Sequence, residues 1–122
     1  MKKIPRIYIL DKIVTASTVA VDKIQIDKTS NFFITEISFT CTSTSLKIMV
    51  RDSVNNKNWF DQRVLLKNLV NNANSGLYTY YLPEPLLMEG NATIHLELED
   101  TSASTNTVQI AVKGYEEAGA TK

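Results

Sequence analysis

Few residues of this chain belong to types that do chemistry. It has a single histidine, His95, and a single cysteine, Cys41. His95 falls in phase with Glu97 and Glu99, with Asp100 next in line, so a metal site is the chemistry to weigh. Residues at i, i+2 and i+4 of a strand spread over roughly 13 Å, too far to converge on one ion. The expectation is a solvated strand face and no metal. Glu99-Asp100 with loop oxygens would be the remaining calcium donors, but the dense acidic spacing of a calcium loop is missing. Cys41 with His95 is the only nucleophile–base pair the composition allows. The two fall on different strands, and Cys41 closes an apolar run as a small core or edge residue. Asp52, Asp61, Glu84 and Glu89 supply carboxylates, yet no spacing singles out two of them for glycoside hydrolysis. No glycine-rich phosphate loop is present. The reading is a protein that is not an enzyme, with no catalytic residue and no cofactor.

Binding chemistry is better represented. Trp59-Phe60 follows a polar loop, and Tyr78 and Tyr80 share one side of their strand while Tyr81 takes the other. Rings at these positions suit stacking on sugar faces or anchoring a protein interface. Trp59, Tyr78 and Tyr80 are therefore the candidate interaction surface. The plainer alternative is that Trp59 and Tyr81 plug the ends of a core.

The elements that must position these residues are strands. Ile94/Leu96/Leu98 and Val108/Ile110/Val112 alternate strictly around the polar loop Asp100–Thr107, which marks strands with one buried and one wet face. Eight or nine strands are expected: Arg6–Leu10 with an extension to Thr15, Val19–Ile26, Phe32–Thr40, Leu46–Arg51, Trp59–Leu65, Leu77–Leu82, a short Leu86–Met88, Thr93–Glu99 and Val108–Tyr115. Apolar parity changes between Val19/Val21 and Ile24/Ile26, which predicts a bulge or corner. Phe33/Ile37/Phe39 and Leu46/Ile48/Val50 are expected to line the core. Pro83-Glu84-Pro85 and Glu89-Gly90-Asn91 read as tight corners. Asp61–Asn71 has some helical character and is taken as a strand plus a turn. The fold class is all-β, a two-sheet antiparallel β-sandwich of jelly-roll type. One domain is expected over residues 1–122, with an N-terminal arm at 1–6 and a flexible tail at 116–122.

Composition narrows the partners. Thirteen basic and thirteen acidic side chains cancel, which argues against a nucleic-acid partner held by phosphate neutralisation. No apolar stretch approaches the roughly 20 residues of a membrane span. The apolar run Ile7–Leu10 is too short for a secretion signal. A lone cysteine leaves no internal disulfide, so the core must carry the fold. Open sandwich edges argue modestly for assembly with another subunit.

Several segments together carry a resemblance. They are Phe33-Ile-Thr-Glu-Ile-Ser-Phe39, Val50-Arg-Asp52, Trp59, Leu82-Pro-Glu-Pro85, Ile94-His-Leu-Glu-Leu98 and Asn106-Thr-Val-Gln-Ile-Ala-Val-Lys-Gly-Tyr115. From about residue 30 to residue 115 the chain resembles the small single jelly-roll virion proteins of bacteriophages. The resemblance implies a capsid-associated structural protein: a minor capsid, penton (vertex) or cement (decoration) subunit. It implies other capsid proteins as partners, a homo-oligomer such as a trimer or pentamer, and a place in the virion after production in the host cytoplasm. The competing expectation is a carbohydrate- or receptor-binding sandwich in which the aromatic residues hold a glycan.

Overall fold

The alternation of apolar and polar residues resolves into strands along nearly the whole chain. A computed structural model describes residues 2–27, 31–72 and 77–118. Its strands are β1 (Lys2–Val14), β2 (Val19–Gln25), β3 (Asn31–Cys41), β4 (Leu46–Asp52), β5 (Lys57–Asn58), β6 (Val64–Leu65), β7 (Val70–Asn72), β8 (Leu77–Glu89), β9 (Thr93–Asp100) and β10 (Asn106–Ala118). One sheet runs β1-β10-β3-β8-β7; the other runs β2-β9-β4-β5, with β6 also pairing β4. Every pairing is antiparallel.

The chain is an all-β sandwich, as its alternation implied. Strands β1 to β4 alternate between the sheets, and β8, β9 and β10 alternate again on the way back. The returning β10 lies between β1 and β3, and β9 lies between β2 and β4. Two Greek keys nested in this way make a jelly roll.

The core fills the space between the sheets. Phe32, Ile34, Ile37 and Phe39 of β3 meet Leu46, Ile48 and Val50 of β4, with Ile94, Leu96, Leu98, Val108, Ile110 and Val112 from the returning strands. All are buried. Asn106, also buried, takes its place by hydrogen bonding. Its Oδ1 accepts from Thr42 Oγ1 at 3.1 Å and from the Ser43 N–H at 3.2 Å, and its Nδ2 donates to the Ser43 carbonyl at 2.8 Å.

Several local expectations change. The inward residues of β3 switch from Phe32/Ile34 to Ile37/Phe39, so Phe33 lies outside the core and stacks on Tyr115 at 5.1 Å. The cause is a bulge at Thr35, where the register slips against both β10 and β8. In β2 no bulge occurs: its register with β9 is unbroken from Val19↔Glu99 to Gln25↔Thr93. Val19 and Val21 simply face outward, while the inward Asp22 sits at the sandwich margin and takes the Lys12 ammonium of β1 at 3.2 Å. Of the expected strand Trp59–Leu65 only Val64–Leu65 (β6) is extended in a ladder, β5 falling just before it at Lys57–Asn58, and the helical signal of Asp61–Asn71 reduces to one 3-10 turn at Leu66–Asn68.

The corner expected at Pro83-Glu84-Pro85 lies instead inside the single strand β8. Tyr81 pairs with Glu36 and Leu86 with Ile34, so Leu82–Pro85 bulge out opposite Thr35 alone. Proline cannot donate to a ladder, and the ladder is interrupted where the two prolines stand. The expected arm at 1–6 is likewise part of a strand, since Lys2–Arg6 pair with Gly114–Ala118. Of the expected tail, residues 116–118 belong to β10 and residues 119–122 lie outside the described residues, as do parts of the loops Asp27–Ser30 and Asn71–Gly76.

Candidate functional site

The aromatic candidates come to the margin of the sandwich formed by β4, β5 and β8. β4 keeps its inward parity through Leu46, Ile48 and Val50 to Asp52, which is therefore buried, at 1% exposure. A buried carboxylate is costly unless hydrogen-bonded, and both oxygens of Asp52 are engaged. Oδ1 accepts from the Asn55 N–H at 2.7 Å and so shapes the turn into β5; Oδ2 accepts from Trp59 Nε1 at 2.7 Å. The Trp59 N–H donates to the Val50 carbonyl at 2.8 Å. Trp59 is thus held at its backbone and at its ring edge.

Tyr80 approaches from β8. Its ring lies 6.0 Å from Trp59 at a tilt of 39°, and 5.2 Å from Phe60 nearly edge-on. The Pro-Glu-Pro bulge closes the third side. The result is an open groove of about 470 Å3 whose lining includes Trp59, Tyr80, Leu82, Pro83, Pro85 and Leu86, with Asn55, Lys57, Asn58 and Glu84 supplying polar groups. Trp59 and Tyr80 therefore come together. Tyr78, expected beside them, is 8% exposed and joins the core, while Tyr81 is 55% exposed on the other side of β8 and plugs nothing. Asp52, one of the four carboxylates that no spacing singled out, anchors the site, because an acid in phase with three buried apolar positions must find a partner.

The acid–histidine strand face is an ion-pair surface. Arg63 reaches Glu97 at 2.9 Å and Glu99 at 3.3 Å, and Thr93 Oγ1 lies 3.0 Å from His95 Nε2. Asp100 points the other way, into the sandwich, where Oδ1 accepts from the Ser102 N–H and hydroxyl. Among the described residues no group of three or more His, Cys, Asp or Glu side chains gathers as metal ligands would. Cys41 and His95 lie in different sheets, and burial pushes the Cys41 thiol up, away from the thiolate a nucleophile needs. Of the carboxylates weighed for hydrolysis, Asp52 and Glu84 share the groove, but Asp52 has committed both oxygens to holding the turn and the indole.

Burial lowers the His95 pKa below its ordinary 6.5, and the charges of Arg51 and Lys23 on the flanking strands lower it further. The unfolded chain then binds this proton at a higher pH than the native protein does. Stability is complete above about pH 6.5 and declines as pH falls from there through the folded value. Urea midpoints measured downward from neutrality should show this decline, and His95→Gln should flatten it. An imidazole that titrates above 6.5 by NMR would contradict the assignment.

Comparison with protein-family models and with curated proteins finds no match for this chain. Function must be argued from the fold and its surfaces.

Proposed function

We propose that this protein is a non-enzymatic structural subunit of a bacteriophage virion. In this reading it is a jelly-roll protein of the capsid, serving as a minor capsid, vertex or cement subunit, and it assembles with its own copies into a trimer or pentamer. The observation that carries the reading is where the exposed apolar side chains lie. Ile7, Ile9 and Ile13 of β1 are each more than half exposed and share one strand phase, opposite to that of Tyr8 and Leu10, which pack on the core, so all three stand on the outer face of the β1-β10-β3-β8-β7 sheet. Scattered single examples are ordinary, but three in phase on the outer face of one edge strand mark a surface that another molecule covers.

Backbone geometry supports the same reading. β1 is thirteen residues long and stands at the edge of its sheet, with β10 as its only ladder partner among the described residues. A long edge strand offers a row of backbone groups to a neighbour. The margin is also stiffened. Arg6 donates to Asp27 and to Glu116, each at 2.6 Å, and its guanidinium covers Tyr8 at 4.5 Å. A rigid margin suits contacts repeated identically under symmetry. The balance of thirteen basic and thirteen acidic residues suits protein neighbours better than packaged nucleic acid.

Light scattering across a dilution series tests this. The expected result is a discrete trimer or pentamer that Ile7→Lys with Ile9→Lys converts to monomer. Both side chains are more than half exposed, so monomer stability should change by no more than about 0.5 kcal/mol per site. A wild-type monomer at every concentration would sink the self-assembling subunit.

A further inference from the structure

We infer that the groove between Trp59, Tyr80 and the Leu82–Leu86 bulge is a binding site for a neutral saccharide. The site lies at the β4–β5–β8 margin, and the apolar face assigned to assembly lies on β1, at the opposite edge. The two readings rest on different residues, and either can fail without the other.

The lining selects the ligand. A pyranose ring presents an apolar C–H face and a belt of hydroxyl groups in its plane. The groove offers the complement: an aromatic and aliphatic floor of Trp59, Tyr80, Leu82 and Leu86, and a rim of Asn55, Asn58, Lys57 and Glu84. Amides, an ammonium and a carboxylate can each meet a hydroxyl, which both donates and accepts. A purely hydrocarbon ligand would desolvate that rim without replacing its hydrogen bonds. Lys57 and Glu84 oppose one another in sign, and Asp52 is satisfied internally, so the groove favours a ligand without net charge. A nucleotide's phosphate would meet Glu84 with one lysine to offset it. A proline-rich peptide needs slots between aromatic rings, but Tyr80 is packed against both Trp59 and Phe60. The rings form one bent floor with no slot between them.

Preorganisation favours binding as well. Trp59 is fixed by Asp52 and by the Val50 carbonyl before any ligand arrives, so less side-chain freedom is lost on association. The volume of about 470 Å3 falls within the range of small-ligand sites.

Trp59 is the only tryptophan of the chain, so its emission reports on this groove. The full chain would be titrated with maltohexaose, cellohexaose, chitohexaose and mannohexaose, and separately with decaproline and AMP. A saturable change in emission is expected with at least one of the oligosaccharides. Asn58→Ala and Glu84→Gln, both at exposed positions, should each weaken it by about tenfold with an unchanged circular dichroism spectrum. The inference is overturned by silence across the four oligosaccharides, by binding that both variants leave intact, or by saturation with decaproline or AMP alone.

Discussion

Gly114→Ala is expected to cost more than about 3 kcal/mol, enough to leave much of the protein unfolded. Gly114 stands in β10 opposite Ile34, immediately after the register slips past Thr35. A Cβ at this position would lie 1.8 Å from the Phe33 carbonyl oxygen, 2.8 Å from its carbon and 3.1 Å from the Ile34 Cα. These are backbone atoms of the neighbouring strand, and no rotamer change can move them aside. β10 would have to withdraw from β3, pulling Tyr115 off Phe33 and displacing Arg6, its partner in β1. The same displacement would distort the margin assigned to assembly. Urea unfolding followed by circular dichroism measures the effect, with Ala111→Ser as a control in the same strand. Ala111 is half-buried and three residues away, and the control should stay within about 1 kcal/mol of the wild type. Equal midpoints for Gly114→Ala and the wild type would mean that β10 and β3 do not approach this closely.

The bulge that makes Gly114 necessary is also where the sequence is hardest to read. Phe33, Ile37 and Phe39 share one parity and Phe32 and Ile34 the other, so the commoner parity misleads, and nothing local says that the switch falls at Thr35. Tertiary pairing decides it, because the slip must satisfy β8 and β10 together. The returning strands were legible because Ile94/Leu96/Leu98 and Val108/Ile110/Val112 carry one parity each with polar residues between them. The two prolines signalled a break in β8, yet whether such a break becomes a corner or a bulge depends on a partner more than forty positions away in sequence. In β2 the outward Val19 and Val21 imitated a parity change. An edge strand can be apolar on its outer side, and alternation alone does not separate that from a bulge.

The candidate site was legible by residue type and only partly by position. Trp59 and Tyr80 were visible as aromatic rings beside polar loops. Tyr78 has the same strand phase as Tyr80, but it lies deeper between the sheets and is consumed by the core. Asp52 is the residue on which the groove depends. Its meaning was encoded in the parity of β4, which continues from Val50 onto an acid that cannot stay buried without donors.

Asp52→Ala is accordingly expected to cost about 3 kcal/mol, because it strands two donors at once. The Asn55 N–H and the Trp59 Nε1–H both lose their acceptor. Asp52→Asn is the more discriminating change. Its single amide oxygen can serve one of the two donors, and its NH2 group then faces the other, so an intermediate loss of about 1–2 kcal/mol follows. The emission of Trp59 separates the possibilities. Release of the ring from its anchor should shift the emission to longer wavelength at urea concentrations where the fold is still intact. A double-mutant cycle with Trp59→Phe, which removes the indole donor, should return a coupling of about 1 kcal/mol or more. Additive losses with unshifted emission would show that Asp52 shapes the turn and does not hold the indole. In that case Trp59 would be positioned by its backbone and by Tyr80 alone, and the groove floor would be loose before a ligand arrives.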